Sequence, residues 1–130
     1  VPNFNVAKPK YADFFFDFEQ RERLHFIKSI NDVDEMTLLF NVPDEAPYWK
    51  TKPLSIIAKL IGDEGPGSLL SYLKSKGLAL ELSASDAFWR TFGVNITLTP
   101  NGRKEYQKVL LAFEKYLELI QNNLYPEYIY

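Results

Sequence analysis

Four stretches of the chain read as strands, three of them with a period-two alternation. Met36, Leu38, Phe40 and Val42 share one face of a predicted strand over 36–42, and Leu24 to Ile30 is also strand-like. The polar link Asn31-Asp32-Val33-Asp34-Glu35 between them predicts an antiparallel hairpin. Leu78, Leu80 and Leu82 alternate with Ala79, Glu81 and Ser83, and the strand continues into the small, polar Ala84-Ser85-Asp86. Phe92, Val94, Ile96 and Leu98 alternate with Thr91, Gly93, Asn95, Thr97 and Thr99, which reads as a central strand with one wet face.

Helical spacing governs the rest. After the prolines at 43, 47 and 53, Leu54 to Ile61 predicts a helix ending at Gly62. A second follows almost at once: Ser68 is its N-cap, Leu69, Leu70 and Leu73 its buried side, and Gly77 its stop. Thr99 and Pro100 open a long last helix with Tyr106, Val109, Leu110, Phe113, Tyr116, Leu117, Ile120 and Leu124 on one face. The order is hairpin, helix pair, hairpin, long helix. It predicts an α+β two-layer sandwich, an antiparallel sheet covered on one face by helices.

Composition narrows the function. At 130 residues and 46% apolar content the chain is one domain or a large piece of one. Residues 1–23, with five aromatics packed into Tyr11 to Phe18, read as an N-terminal arm or linker whose rings cover a core edge or meet a partner. Residues 24–130 read as the domain, truncated at its C-terminus because Glu127 to Tyr130 carry no stop signal. The start at Val1-Pro2-Asn3 fits a segment of a longer protein. A balance of 15 Lys and Arg against 17 Asp and Glu gives no electrostatic reason to expect nucleic acid. Charges interrupt every apolar run before the ~20 residues that span a bilayer, so no membrane partner is expected. No Cys and a single His exclude thiol chemistry and any metal site that needs two imidazoles.

Little catalytic chemistry remains. His25 reads as an ordinary strand histidine, and Asp32, Asp34, Glu35, Asp44 and Glu45 as turn and solvation chemistry around strand ends. Two features invite a ligand. Gly62-Asp63-Glu64-Gly65-Pro66-Gly67-Ser68 joins a helix C-terminus, whose carbonyls favour a cation, to a helix N-terminus, whose amides around Gly67 and Ser68 favour an anion; Glu64 adds a carboxylate beside the first. A peptide ammonium is a sensible guest there, although a tight helix–helix turn explains the same residues. Leu82-Ser83-Ala84-Ser85-Asp86 ends a strand in small side chains, and an accessible edge recruits another strand by backbone pairing.

The run from Leu60 to Gly77, with its Gly-Asp-Glu-Gly-Pro-Gly-Ser core, and the upstream Tyr48-Trp49-Lys50-Thr51-Lys52-Pro53 resemble the second domain of the zinc metallopeptidase family of insulin-degrading enzyme, pitrilysin and the yeast pheromone-processing peptidase. In that family a preceding domain holds zinc through His-x-x-Glu-His. One His cannot form that motif, so the resemblance implies a non-catalytic domain with no cofactor of its own, the zinc lying in the parent's catalytic domain. It further implies an exosite: Gly62 and Glu64 receive the substrate's amine, and Leu82, Ala84 and Asp86 lie along the edge to which the peptide adds as a strand. This chain departs from the pattern. The family has glycines at Ala84 and Ser85, a glutamine at Asp86 and a histidine at Asp63, so close approach and charge preference differ.

The expected partners are peptide substrates, other domains of the parent chain and, through Phe14, Phe15, Phe16 or the Leu82 edge, a second copy. The resemblance implies a cytoplasmic parent. The alternative function is a structural or interaction domain of a peptidase-like protein without hydrolytic activity.

Overall fold

A computed structural model describes residues 23–27, 33–44, 46–87 and 90–123, with the backbone alone for Asp86 and Ala87. Among these, three strands form one antiparallel sheet: β1 (Glu35–Asn41), β2 (Ala79–Ala87) and β3 (Thr91–Leu98), in the order β1-β3-β2. The helices are α1 (Pro53–Ile61), α2 (Leu69–Ser75), α3 (Pro100–Lys104) and α4 (Tyr106–Asn123). They cover one face, giving the two-layer α+β sandwich that the alternation predicts. The aromatic cluster at Phe14 to Phe16 lies outside the described residues.

The core lies between the layers. Leu70 and Leu73 of α2, Val94 and Ile96 of β3, and Val109 of α4 are each at most 1% exposed. Removal of each such side chain from water contributes about 1.5–3 kcal/mol before conformational entropy is counted. Met36, Leu38 and Val42 are half-buried against this cluster as their shared face requires, and Phe40 stacks on Phe113 with ring centroids 5.9 Å apart.

Local signals hold where they were strongest. The Ser68 hydroxyl accepts the Ser71 amide at 3.1 Å, and that of Thr99 accepts Gly102 at 2.9 Å, so both N-caps form. Gly77 takes the left-handed conformation, φ 63°, while Leu78 N–H reaches back to Leu73 O to close α2.

The structure differs in three places. Leu24 to Ile27 form no strand and are exposed, and His25 sits among them; residues 28–32 lie outside the described residues, and the partner of β1 is β3. The register shifts between Ala79 and Glu81, so Leu80 is turned out at 53% exposure while Ala79 is buried. The last helix breaks at Glu105 (φ −106°, ψ 30°). Gly102 docks α3 against Leu78, whereas Val109 and Phe113 dock α4 in the core, and the chain turns between the two.

Candidate functional site

The loop between α1 and α2 is fixed at both ends. Gly62 N–H donates to Ala58 O at 2.8 Å, and Ser68 N–H to Gly65 O at 3.1 Å. Gly67 is left-handed at φ 86°, which delivers Ser68 to its capping position. Gly62 has φ −82°, so glycine is not there for a left-handed turn. Space explains it: a β carbon on Gly62 would stand 3.0 Å from Ala58 O and 3.7 Å from the Ala84 amide nitrogen. The end of α1 thus lies directly against the middle of β2.

The sheet decides which backbone groups of β2 are outward. Leu98 N–H donates to Asp34 O at 2.7 Å and Val42 N–H to Arg90 O at 2.9 Å, so the even-numbered residues along β3 bond toward β1. Neighbouring residues in a strand turn their amides and carbonyls to opposite edges. Thr91, Gly93, Asn95 and Thr97 therefore bond toward β2, where they pair with Ala87, Ser85, Ser83 and Glu81. Leu82, Ala84 and Asp86 are left with N–H and C=O directed to the outer edge, and among the described residues no strand pairs with that edge. The side chains of Leu82 and Ala84 point into the core, so the edge is presented by a rigid strand.

The electrostatics at the α1 end of the loop are one-sided. Of the last four carbonyls of α1, Ala58 accepts Gly62 and Leu60 accepts the Tyr116 hydroxyl at 3.1 Å. Among the described residues nothing donates to those of Lys59 or Ile61, which carry the negative end of the helix dipole. Asp63 and Glu64 are exposed, with no ion pair to either among the described residues. The Asp63 carboxylate folds back over Gly65, 3.3 Å from where its β carbon would stand. An ammonium ion suits such a place; an anion does not.

Of the five residues singled out in the sequence, the fold brings Gly62 to Ala84 and aligns Leu82, Ala84 and Asp86 on one edge. Glu64 stands in the adjoining loop, with no hydrogen bond to β2 among the described residues. The Asp86 side chain, on which a charge difference from the family was expected, lies outside the described atoms.

Sequence reasoning missed Tyr116, which it placed only on the apolar stripe of the last helix. Burial pushes its phenol above the ordinary value, Asp63 adds to this, and the Leu69 amide, directed at the phenol oxygen, opposes it. Sequence reasoning also missed a groove of about 820 Å³ between α2 and α4, walled by Leu69, Tyr72, Leu78, Leu111, Ala112 and Leu119. Leu111 and Leu119, about two turns apart on α4, and Tyr72 on α2 are exposed along it, although all three read in the sequence as ordinary helix positions.

Acidic groups elsewhere do structural work. Asp44 accepts the Ala46 amide at 3.0 Å and pairs with Arg90 at 3.2 Å, and Asp34 pairs with Arg103 at 3.1 Å. The Ala46 amide leads the groups that hold the Asp44 carboxyl below its usual range. Among the described residues no group of His, Cys, Asp and Glu could hold a metal ion, and with one His in the whole sequence the family's zinc motif does not fit this chain. Among the same residues, no helix is long and apolar enough to cross a membrane.

Comparison with known proteins gives a consistent picture. A sequence model of the family described as the peptidase M16 inactive domain matches residues 2–129. The chain is 36% identical over 137 residues to the A-factor-processing enzyme of Saccharomyces cerevisiae, covering 100% of this chain and 13% of that protein. It is 31% identical over 134 residues to the human insulin-degrading enzyme, again 100% of this chain and 13% of the relative. In fold it is similar to the crystal structure of pitrilysin, with a TM-score of 0.67 at 24% identity, over 74% of this chain and 11% of that one. The chain therefore spans about an eighth of the length of these relatives.

Proposed function

The chain belongs to the peptidase M16 inactive domain family, and from that premise we propose that it is the substrate-anchoring exosite of a zinc metalloendopeptidase. A peptide's N-terminal ammonium sits at the end of α1, against the open carbonyls and Glu64. Its backbone continues as an added strand along Leu82, Ala84 and Asp86. The observation that carries this reading is the direction of those three residues: their N–H and C=O groups face outward, beside the end of α1.

The contributions divide by physics. Backbone pairing is indifferent to side chains and supplies affinity for extended peptides of many sequences. The amine supplies register, because only the first residue of a peptide carries it, and a hydrogen bond to a charged group contributes about 1.5–3 kcal/mol. Anchoring one end of a substrate raises the effective concentration of the rest at a distant catalytic centre. In this reading the zinc belongs to another domain of the parent, and no step on this chain uses it. A cytoplasmic parent rests on the resemblance alone.

Isothermal titration of the chain with a flexible peptide and its N-acetylated twin tests the proposal. Tighter binding of the free-amine form, lost in Glu64→Gln, is expected. Equal affinities would sink the amine anchor, and no binding of either would sink the exosite on this chain.

The groove between α2 and α4 favours a second reading, a structural or interaction domain of a peptidase-like protein without hydrolysis, since an apolar channel of that volume suits a packed neighbour. The zinc motif upstream in the parent separates the two: its presence favours the exosite, its erosion the scaffold.

A further inference from the structure

Tyr116 belongs to neither the loop nor the strand edge, yet one atom of it touches both helix ends from which the loop hangs. Its hydroxyl donates to the Leu60 carbonyl at 3.1 Å, across 56 positions of sequence. The Leu69 amide is directed at the same oxygen and favours its charged form. Leu60 is the penultimate residue of α1 and Leu69 the first of α2. The ring itself packs against the core from α4, an 18-residue helix anchored by Val109 and Phe113. A half-buried hydroxyl that satisfies an acceptor on one helix and faces a donor on the next fixes their separation, because moving either end leaves a polar group without its partner.

The same contact selects which carbonyls remain for a guest. With Leu60 capped by the phenol and Ala58 by Gly62, those of Lys59 and Ile61 are left at the helix end. Because burial and Asp63 both disfavour the phenolate, the hydroxyl keeps the proton it must donate throughout neutral pH.

We infer that Tyr116 is a positioning residue for the peptide-amine site: its hydroxyl holds the ends of the Gly62 to Ser68 loop at the spacing that seats Gly62 on Ala84 and turns the open carbonyls of α1 toward the amine. This rests on the anchoring reading above and adds a residue to it. Tyr116 touches no substrate and acts through the loop.

The test compares a flexible free-amine peptide with its N-acetylated twin by isothermal titration, on the wild type, Tyr116→Phe, Glu64→Gln and the double variant. In the wild type the free-amine form binds about tenfold more tightly, the lower end of what one charged hydrogen bond gives. Tyr116→Phe reduces that ratio to within about twofold while the acetylated twin, which uses only the edge, binds as before. In the Glu64→Gln background Tyr116→Phe changes the ratio no further, because the two act on one interaction.

A Tyr116→Phe variant that keeps the full ratio overturns the proposal and leaves the anchor standing. Equal weakening of both peptides also overturns it, since that marks a packing role. A wild type that does not distinguish the peptides overturns the anchor, and the proposal with it.

A measurement on the wild type needs no variant to fold. The Leu69 amide resonance shifts on titration with the free-amine peptide and stays with the acetylated one, and a stationary Leu69 resonance in both titrations overturns the clamp.

Discussion

Gly102 and the Leu78 carbonyl are in backbone contact: a β carbon on Gly102 would run into that oxygen. The relationship ties the start of α3 to the turn between α2 and β2. Thr99 reinforces it by donating its hydroxyl to Gly77 O at 2.6 Å while its amide donates to Leu78 O at 3.1 Å. The junction holds α3 on the turn that leads into β2.

Gly102→Ala is therefore expected to lower stability by about 3 kcal/mol or more, since the backbones themselves must part. Gly67→Ala, at φ 86° in open space, is expected to cost about 1–2 kcal/mol from conformation alone. Urea unfolding of both variants checks the order. A milder Gly102 variant would contradict the close contact.

The two N-caps should differ. Ser68 makes one capping bond, and Ser68→Ala is expected to cost about 1 kcal/mol. Thr99 accepts from Gly102 and donates to Gly77, so Thr99→Ala is expected to cost about 2 kcal/mol. Thermal unfolding of the pair reads the difference directly.

Gly62→Ala places a methyl 3.7 Å from the Ala84 amide nitrogen, at ordinary contact distance, and 3.0 Å from Ala58 O. A stability loss of about 1 kcal/mol is expected, together with weaker binding of extended peptides, acetylated or not, because the methyl crowds the outward edge. Unchanged affinity for the acetylated peptide would remove Gly62 from the edge site.

Alkaline unfolding should report Tyr116. Its folded-state value is raised, mainly by burial, so the native state keeps a proton that the unfolded chain releases. That contribution is fully present below about pH 10, the unfolded value, and is lost as pH rises from there through the folded one. The stability of the wild type should therefore fall more steeply above that pH than that of Tyr116→Phe. Parallel profiles would count against burial as the dominant cause.

Leu73→Ala should cost about 2–5 kcal/mol, as its side chain is fully buried and the sandwich closes around it. Leu80→Ala, on the outward side of the bulge, should stay within about 0.5 kcal/mol despite the identical chemical change. Reversal of that order would restore the unbroken alternation from Leu78 to Leu82.

What was legible in advance was local. Ser68 and Thr99 cap amides three residues on, Gly77 closes α2 on Lys74, and Pro100 fits a helix start because it has no amide to satisfy, so identity and spacing suffice for these roles. The alternation of β3 survives from Val94 to Leu98, whereas Thr91 and Gly93, expected on the wet face, are buried. The readings that failed depend on distant partners. Leu24 to Ile27 have the composition of a strand, yet they form none and are exposed, and the pairing seen for β1 is with β3, far along the chain. Leu80 faces outward because β2 slips one residue against β3, and nothing in Leu78 to Leu82 records the slip. The helix divides at Glu105 because Gly102 and Val109 dock on different elements.

The site divides in the same way. The sequence by itself determined a loop of glycines and carboxylates between two helix ends and a strand finished in small residues, since helix caps, turn residues and side-chain size are properties of short segments. Only the tertiary structure decided which edge of that strand is open. The even and odd backbone groups of β2 are equivalent in isolation, and the order β1-β3-β2 turns those of Leu82, Ala84 and Asp86 outward. It also decided that Gly62 meets Ala84 and that Tyr116 joins α1 to α2, contacts between residues far apart in the chain that form only when the two layers close on a common core.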